Sequence, residues 1–242
     1  MATPEPAKAS APARSDLTLR VISSLVLAPL AVIVAYLGGF FFVVFWVVAA
    51  SIVLWEWARL VVRAKLRAFA FIDWLAAGVG YAAVLLFAPL ILRRDPALGF
   101  VAILFLFAVV WATDIVAYFA GRALGGPKLW PTVSPKKTWS GAAGGTLGGI
   151  AAGVLAVKLM GVSVAPMLIF VACFLSVMAQ AGDLLESAIK RHFGAKDAGH
   201  LIPGHGGLMD RLDGFLTAAA AAAMVGLIRG GLEAPARGLL VW

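Results

Sequence analysis

Charge is what this chain has least of. Asp, Glu, Lys and Arg together make up 13% of its 242 residues, roughly half the ~25% share of an ordinary soluble domain. With a mean hydropathy of +0.98, such a composition excludes a soluble globular fold, because too few polar side chains exist to cover its surface. Cysteine is nearly absent. The lone Cys173 excludes an intramolecular disulfide and a multi-cysteine zinc cluster, and its place in an apolar run marks it as a packing or lipid-contact residue. No Gly-x4-Gly-Lys-[Ser/Thr] loop occurs. The middles of the apolar runs are almost free of charge and no internal repeat is visible, which argues against a transporter built on mid-membrane ionisable groups and paired broken helices.

What the chain has in abundance is long apolar runs. Seven are long enough to cross a bilayer as helices, at roughly 17–37, 39–57, 74–92, 98–119, 141–160, 162–181 and 215–231. Only Gly38 and Gly39 separate the first two, which predicts a tight helical hairpin, and Pro89 is a candidate break in the third. The fold class expected is an all-α polytopic membrane bundle of about seven helices, within a range of six to nine. Three regions are expected: a disordered Ala- and Pro-rich tail at 1–16, N-terminal spans at 17–109, and a catalytic membrane domain at 110–242 with polar loops at 120–141 and 182–214. The first run is read as a span rather than a secretory signal, since it is long, a second span follows at once, and no clear small-residue cleavage site ends it. With the N-terminus placed in the cytoplasm, 15 of the 20 Lys and Arg residues fall inside and 5 outside, the asymmetry that orients membrane helices. Every large polar loop then faces the cytoplasm.

Residues 182–214, GDLLESAIKRHFGAKDAGHLIPGHGGLMDRLDG, form the densest polar island. Acids alternate there with bases and glycines, a mixture suited to a metal ion and to phosphate oxygens. Asp183, Glu186, Ser187 and Lys190 stand at i, i+3, i+4 and i+7, one face of a helix. Lys190 can simply pair with Glu186 there. In 203–207 glycine or proline fills four of five positions around His205, and Gly206 and Gly207 would let backbone N–H groups approach phosphates. His205 by itself reads more readily as a solvated loop residue than as a catalytic one. Asp210 and Asp213 are an i, i+3 pair on the first turn of the last span, where helix capping is the plain alternative. Together with Asp183, they make a divalent-cation site the expectation. The second loop carries Asp114, then Ser134-Pro135-Lys136-Lys137-Thr138-Trp139. Lys136 and Lys137 suit either substrate phosphates or anionic lipid headgroups, and Trp130 and Trp139 suit interfacial anchors.

The ordered run Ser187-x2-Lys190-Arg191-x4-Lys196-Asp197-x-Gly199-x2-Ile202-Pro203-x-His205-Gly206-Gly207-x2-Asp210-Arg211-x-Asp213 resembles the signature of the phosphatidate cytidylyltransferases, or CDP-diacylglycerol synthases. Gly182-Asp183, the Ser134 to Gly141 run and Tyr118-Phe119-x-Gly121-Arg122 resemble the family too, so the likeness covers most of 110–220. Before residue 110 it extends only to Trp55-Glu56-Trp57. Ser140 stands where the family often has an acid, and Ile115 and Val116 follow Asp114 where smaller residues are usual. The resemblance implies transfer of the cytidylyl group of CTP to phosphatidate, giving CDP-diacylglycerol and pyrophosphate for phospholipid biosynthesis. It implies Mg²⁺ on Asp183, Asp210 and Asp213, with a second cation such as K⁺. Ser187 and Lys190 join those aspartates as catalytic residues, and Lys136, Lys137, Arg191, Lys196, His205, Gly206, Gly207 and Arg211 become substrate-binding residues. It further implies a homodimer in a bacterial-type inner or cell membrane, with the active site facing the cytoplasm and no nucleic acid as partner. A CDP-alcohol phosphatidyltransferase would show Asp-Gly-x2-Ala-Arg and Gly-x3-Asp-x3-Asp on one helix, and a polytopic prenyltransferase would show Asp-rich clusters. Neither pattern occurs.

Overall fold

The computed structural model describes residues 14–64, 66–199, 201 and 206–242, with side chains from residue 25 onward. The chain is a helical bundle. In order come α1 (Arg14–Leu37), α2 (Gly39–Arg63), α3 (Ala68–Arg93), α4 (Gly99–Leu124), a hairpin of β1 (Lys128–Trp130) and β2 (Ser134–Thr138), α5 (Trp139–Leu159), α6 (Pro166–His192), α7 (Met209–Gly230) and the short α8 (Pro235–Leu240). Among the described residues six helices, α2 to α7, are long and apolar enough to cross a membrane. They have 21 to 27 residues each, roughly 31–40 Å at 1.5 Å per residue, against a hydrocarbon core of about 30 Å. In α1, Leu25–Leu37 is apolar. The fold is that of a multi-pass membrane protein, and its outward faces are apolar, as at Phe40, Phe69, Leu147, Phe170 and Ile228, all exposed.

α1 begins at Arg14, inside the stretch read as a tail; residues 1–13 of that expectation lie outside the described residues. The α1–α2 hairpin turns at Gly38 and Gly39, with φ of 64° and 50°, the left-handed region glycine enters without a steric penalty. Arg93, at the end of α3, seals that turn by donating to the carbonyls of Ala35 at 2.8 Å and Tyr36 at 3.2 Å. Pro89 lies inside α3 without ending it. Two features depart from a picture of helices alone. The 120–141 loop folds into an antiparallel hairpin, in which Lys128 pairs with Thr138 and Trp130 with Ser134, and α8 folds back against α7.

The most extensively packed helix pair is α4 with α5. Gly141, Gly145, Gly149 and Gly153 recur every four residues on α5, are all buried, and leave no room for a side chain. A Cβ at Gly145 would sit 2.7 Å from the Thr113 carbonyl oxygen, and one at Gly141 2.8 Å from that of Ala117. Small residues at this spacing let two helix backbones touch, which is how helices associate where no hydrophobic effect drives them together. Deeper in the bundle the core is aromatic and aliphatic: Trp46 stacks on Phe215 with centroids 4.9 Å apart, and Phe105, Leu106, Leu85 and Leu175 are fully buried.

Candidate active site

Two helix crossings assemble one site. At the first, α6 meets α7 through glycine. A Cβ on Gly182 would lie 2.1 Å from Thr217 Oγ1 and 2.6 Å from the Asp213 carbonyl oxygen, and a Cβ on Gly214 would lie 2.9 Å from the Ala179 carbonyl oxygen. Thr217 Oγ1 also donates to the Met178 carbonyl at 2.7 Å. The residues next to these glycines, Asp183 and Asp213, are thereby carried to the two sides of one contact. At the second crossing, Gly121 of α4 packs on the Thr138 hydroxyl. That hydroxyl caps α5 by accepting from Gly141 N–H at 3.1 Å. This crossing brings Asp114 and the β-hairpin lysines towards the aspartates.

Between the crossings lies a cavity of about 750 Å³. Six acids line it, Asp114, Asp183, Glu186, Asp197, Asp210 and Asp213, and six bases, Arg122, Lys128, Lys136, Lys137, Lys190 and Arg211. Acids and bases are balanced, so the cavity can take a polyanion only if it also takes a cation or separates its own ion pairs.

Those pairs are well defined. Lys190 Nζ lies 2.7 Å from Glu186 Oε2 and 2.5 Å from Asp210 Oδ1. Glu186 is 1% exposed, so the plain i, i+4 pairing foreseen on this helix face is a buried bridge rather than a surface one. Asp210 also accepts backbone N–H groups from Gly207 at 2.8 Å and Ala198 at 3.1 Å. It stands on the first turn of α7, where the helix dipole favours negative charge. Lys137 forms an ion pair with Asp183. Asp213 accepts from Gly214 N–H at 2.7 Å and lies within electrostatic reach of both Asp183 and Asp114.

Of the residues singled out from sequence, Asp183, Lys190, Asp210, Asp213, Lys136, Lys137 and Arg211 line the cavity. Ser187 does not; its hydroxyl makes a long, 3.5 Å contact with Asp183 Oδ1. Arg191 is exposed and points Nη1 at the Ala195 carbonyl, 3.4 Å away. Lys196 is exposed and also stands off the lining. Gly206, with φ of 86°, and Gly207 shape the backbone around Asp210. His205 lies outside the described residues. Among the described residues no three His, Cys, Asp or Glu side chains gather closely enough to hold a metal ion, and Lys137 and Lys190 engage Asp183 and Asp210, two of the three aspartates foreseen as ligands. The donors themselves fit a hard cation: they are carboxylate oxygens, and Asp114, Asp183 and Asp213 crowd like charges that a divalent ion would relieve.

Sequence reasoning gave no role to several polar lining residues, Gln180, Arg122, Asp197 and Lys128 among them. Gln180 donates to Thr146 Oγ1 at 3.0 Å; it sits one helical step before Asp183, so the same i, i+3 face that revealed Glu186 would have revealed it. Arg122 and Asp197 lie within the motifs but had been given no role. Asp114, left undecided from sequence, is on the lining.

With this geometry in view, comparison with known proteins is decisive. A profile described as the cytidylyltransferase family matches residues 64–228, the stretch that contains both crossings and the whole cavity lining. The chain belongs to the cytidylyltransferase family. It is similar to a protein of Brucella abortus (strain 2308) named phosphatidate cytidylyltransferase, 52% identical over 155 residues, which are 64% of this chain and 57% of that protein. Proteins of the same name from Bacillus subtilis (strain 168) and Staphylococcus saprophyticus are 48% and 45% identical over 122 and 115 residues, 49% and 47% of this chain and 44% of each relative. The chain thus spans about half the length of the curated relatives it matches. The cavity lining falls wholly within the stretch that the family profile matches.

Proposed function

We propose that this protein is a phosphatidate cytidylyltransferase: it joins CTP to phosphatidate, giving CDP-diacylglycerol and pyrophosphate. The observation that carries the reading is a cavity into which both polar motifs converge, at one end of a bundle whose outer surface is apolar. One substrate is a dissolved triphosphate and the other is a lipid, and a polar cavity at the mouth of membrane helices can receive both. The relatives' shared name agrees with it.

A phosphatidate oxygen attacks the α-phosphorus of CTP and pyrophosphate leaves in line. No covalent protein nucleophile is needed, so catalysis is positioning and charge neutralisation. Lys136 and Lys137 of β2 and Arg211 of α7, all on the lining, bind phosphate oxygens. Lys190 holds Asp210 in place through its pair with Glu186. Asp183, Asp210 and Asp213 are the residues that would hold Mg²⁺, with a second cation such as K⁺ beside it. When bound, Mg²⁺ supplies positive charge to phosphate oxygens. By the family resemblance His205, with Gly206 and Gly207, belongs to the nucleotide pocket, whereas Arg191 and Lys196, exposed and off the lining, have no place in the cavity itself; Ser187 supports Asp183. The excess of Lys and Arg at this end orients the N-terminus and the cavity towards the cytoplasm, where CTP is dissolved. The family resemblance extends the proposal to a homodimer.

The test is incubation of purified protein with α-³²P-CTP, phosphatidate and Mg²⁺, followed by lipid extraction, beside Asp210→Asn. Mg²⁺-dependent label in a CDP-lipid, lost in the variant, is the expected result. Well-folded protein that leaves all label in the aqueous phase would overturn the reading and favour transport of an anionic solute.

A further inference from the structure

Glu56 is a carboxylate with 0% exposure on α2, outside the stretch matched by the family profile and off the cavity lining. Its Oε1 accepts the Leu208 N–H at 3.0 Å and its Oε2 accepts the Met209 N–H at 2.8 Å. These donors open α7, where backbone N–H groups have no partner within the helix and the dipole welcomes negative charge. Glu56 therefore caps, from 152 residues earlier in the chain, the helix that carries Asp210 and Asp213.

The backbone closes on this carboxylate from two directions. A Cβ added to Gly199 would lie 2.6 Å from Oε1, and one added to Gly207 would lie 2.7 Å from Oε1 and 2.8 Å from Oε2. The same two segments face Asp210 on their other side, because Ala198 N–H and Gly207 N–H both donate to its Oδ2. The segments at 198–199 and 207–209 are thus clamped between a buried acid outside the cavity and a catalytic-site acid inside it.

We infer that Glu56 is a positioning residue for the reaction: it fixes the two backbone segments that aim Asp210, and through Asp210 it fixes Lys190. The kinetic part of this inference rests on the proposed function; the structural part does not. A carboxylate is required because two N–H donors converge on it. Glutamine would turn an amide NH₂ against one of them and leave a buried donor unsatisfied.

The experiment compares wild type, Glu56→Gln, Glu56→Asp and Gly199→Ala as full-length protein in detergent. Trypsin cleavage at the exposed Lys196 is read by mass spectrometry and CDP-lipid synthesis by labelled CTP. Glu56→Gln is expected to speed Lys196 cleavage several-fold while cleavage elsewhere stays at the wild-type rate. It should also lower kcat by roughly tenfold to a hundredfold, the scale of a slight misplacement of catalytic groups, with KM for phosphatidate unchanged. Glu56→Asp, which keeps both acceptors, restores part of each. Gly199→Ala reproduces the Gln phenotype, and combining it with Glu56→Gln adds little to either change alone, the non-additivity expected of residues in contact. Wild-type cleavage and kcat in Glu56→Gln would overturn the inference. So would uniformly faster cleavage along the whole chain in every variant, which marks a residue that merely supports the fold. If wild type makes no CDP-lipid, the cytidylyltransferase reading fails while local cleavage at Lys196 still decides the role of Glu56.

Discussion

Lys190 stands between two acids that are almost wholly withdrawn from solvent, with side-chain exposures of 12% for the lysine, 1% for Glu186 and 7% for Asp210. Two carboxylates sharing one ammonium make the lysine the element whose removal costs most. Lys190→Met leaves both charges buried and unpaired, and breaking such a bridge costs about 3–5 kcal/mol. The expected result is a clearly lowered thermal midpoint in detergent together with loss of synthesis. The complementary change Glu186→Gln leaves the Lys190–Asp210 pair intact and should lower the midpoint less. A ranking in which Glu186→Gln is the more damaging would contradict this picture. By contrast, Lys137 and Asp183 are partly exposed, at 26% and 32%, so their pair is screened and worth little to stability. Lys137→Ala is expected to change the thermal midpoint by no more than a degree or two while weakening CTP binding, read as a raised KM.

Helix contacts are set by glycine more than by large side chains. At Gly182 a single added methyl group meets Thr217 and the backbone carbonyl of Asp213. Of these two neighbours only the threonine can turn away. Gly182→Ala should therefore part α6 from α7, displace Asp183 from Asp213, and reduce synthesis more than tenfold, since reacting groups tolerate shifts of only about 1 Å. Gly80 of α3 offers the control. Nothing lies within 4 Å of a Cβ there, so Gly80→Ala should be active and more stable by about 0.5–1 kcal/mol, the ordinary gain from removing a mid-helix glycine. Thermal midpoints and labelled-lipid yields for the two variants, measured side by side, check both statements.

The molecule as a whole is polarised end to end. One end carries the cavity, the β-hairpin and the clamp on Glu56. At the other, Asp95 accepts the N–H groups of Ala97 and Leu98, both at 3.0 Å, and of Arg237 at 3.2 Å, tying α4 to α8. The proposed orientation puts the cavity end in the cytoplasm. In a Cys173→Ser background, Lys128→Cys should resist a membrane-impermeant maleimide in intact cells and react after lysis, whereas Met160→Cys should react in both. The reverse pattern would invert the topology. Sequence alone determined the membrane class, the Gly38–Gly39 hairpin, and the motifs whose residues line the cavity, because span length, turn chemistry and motif spacing are local properties of the chain. The β-hairpin at 128–138 was not legible, since its short strands carry no alternating pattern. Nor was the pairing of Lys190 with Asp210 rather than with Glu186 alone, or the reach of Glu56 to α7. Each of these joins residues far apart in the chain, and only the glycine-to-backbone helix crossings, which set the distances between elements, could bring them together.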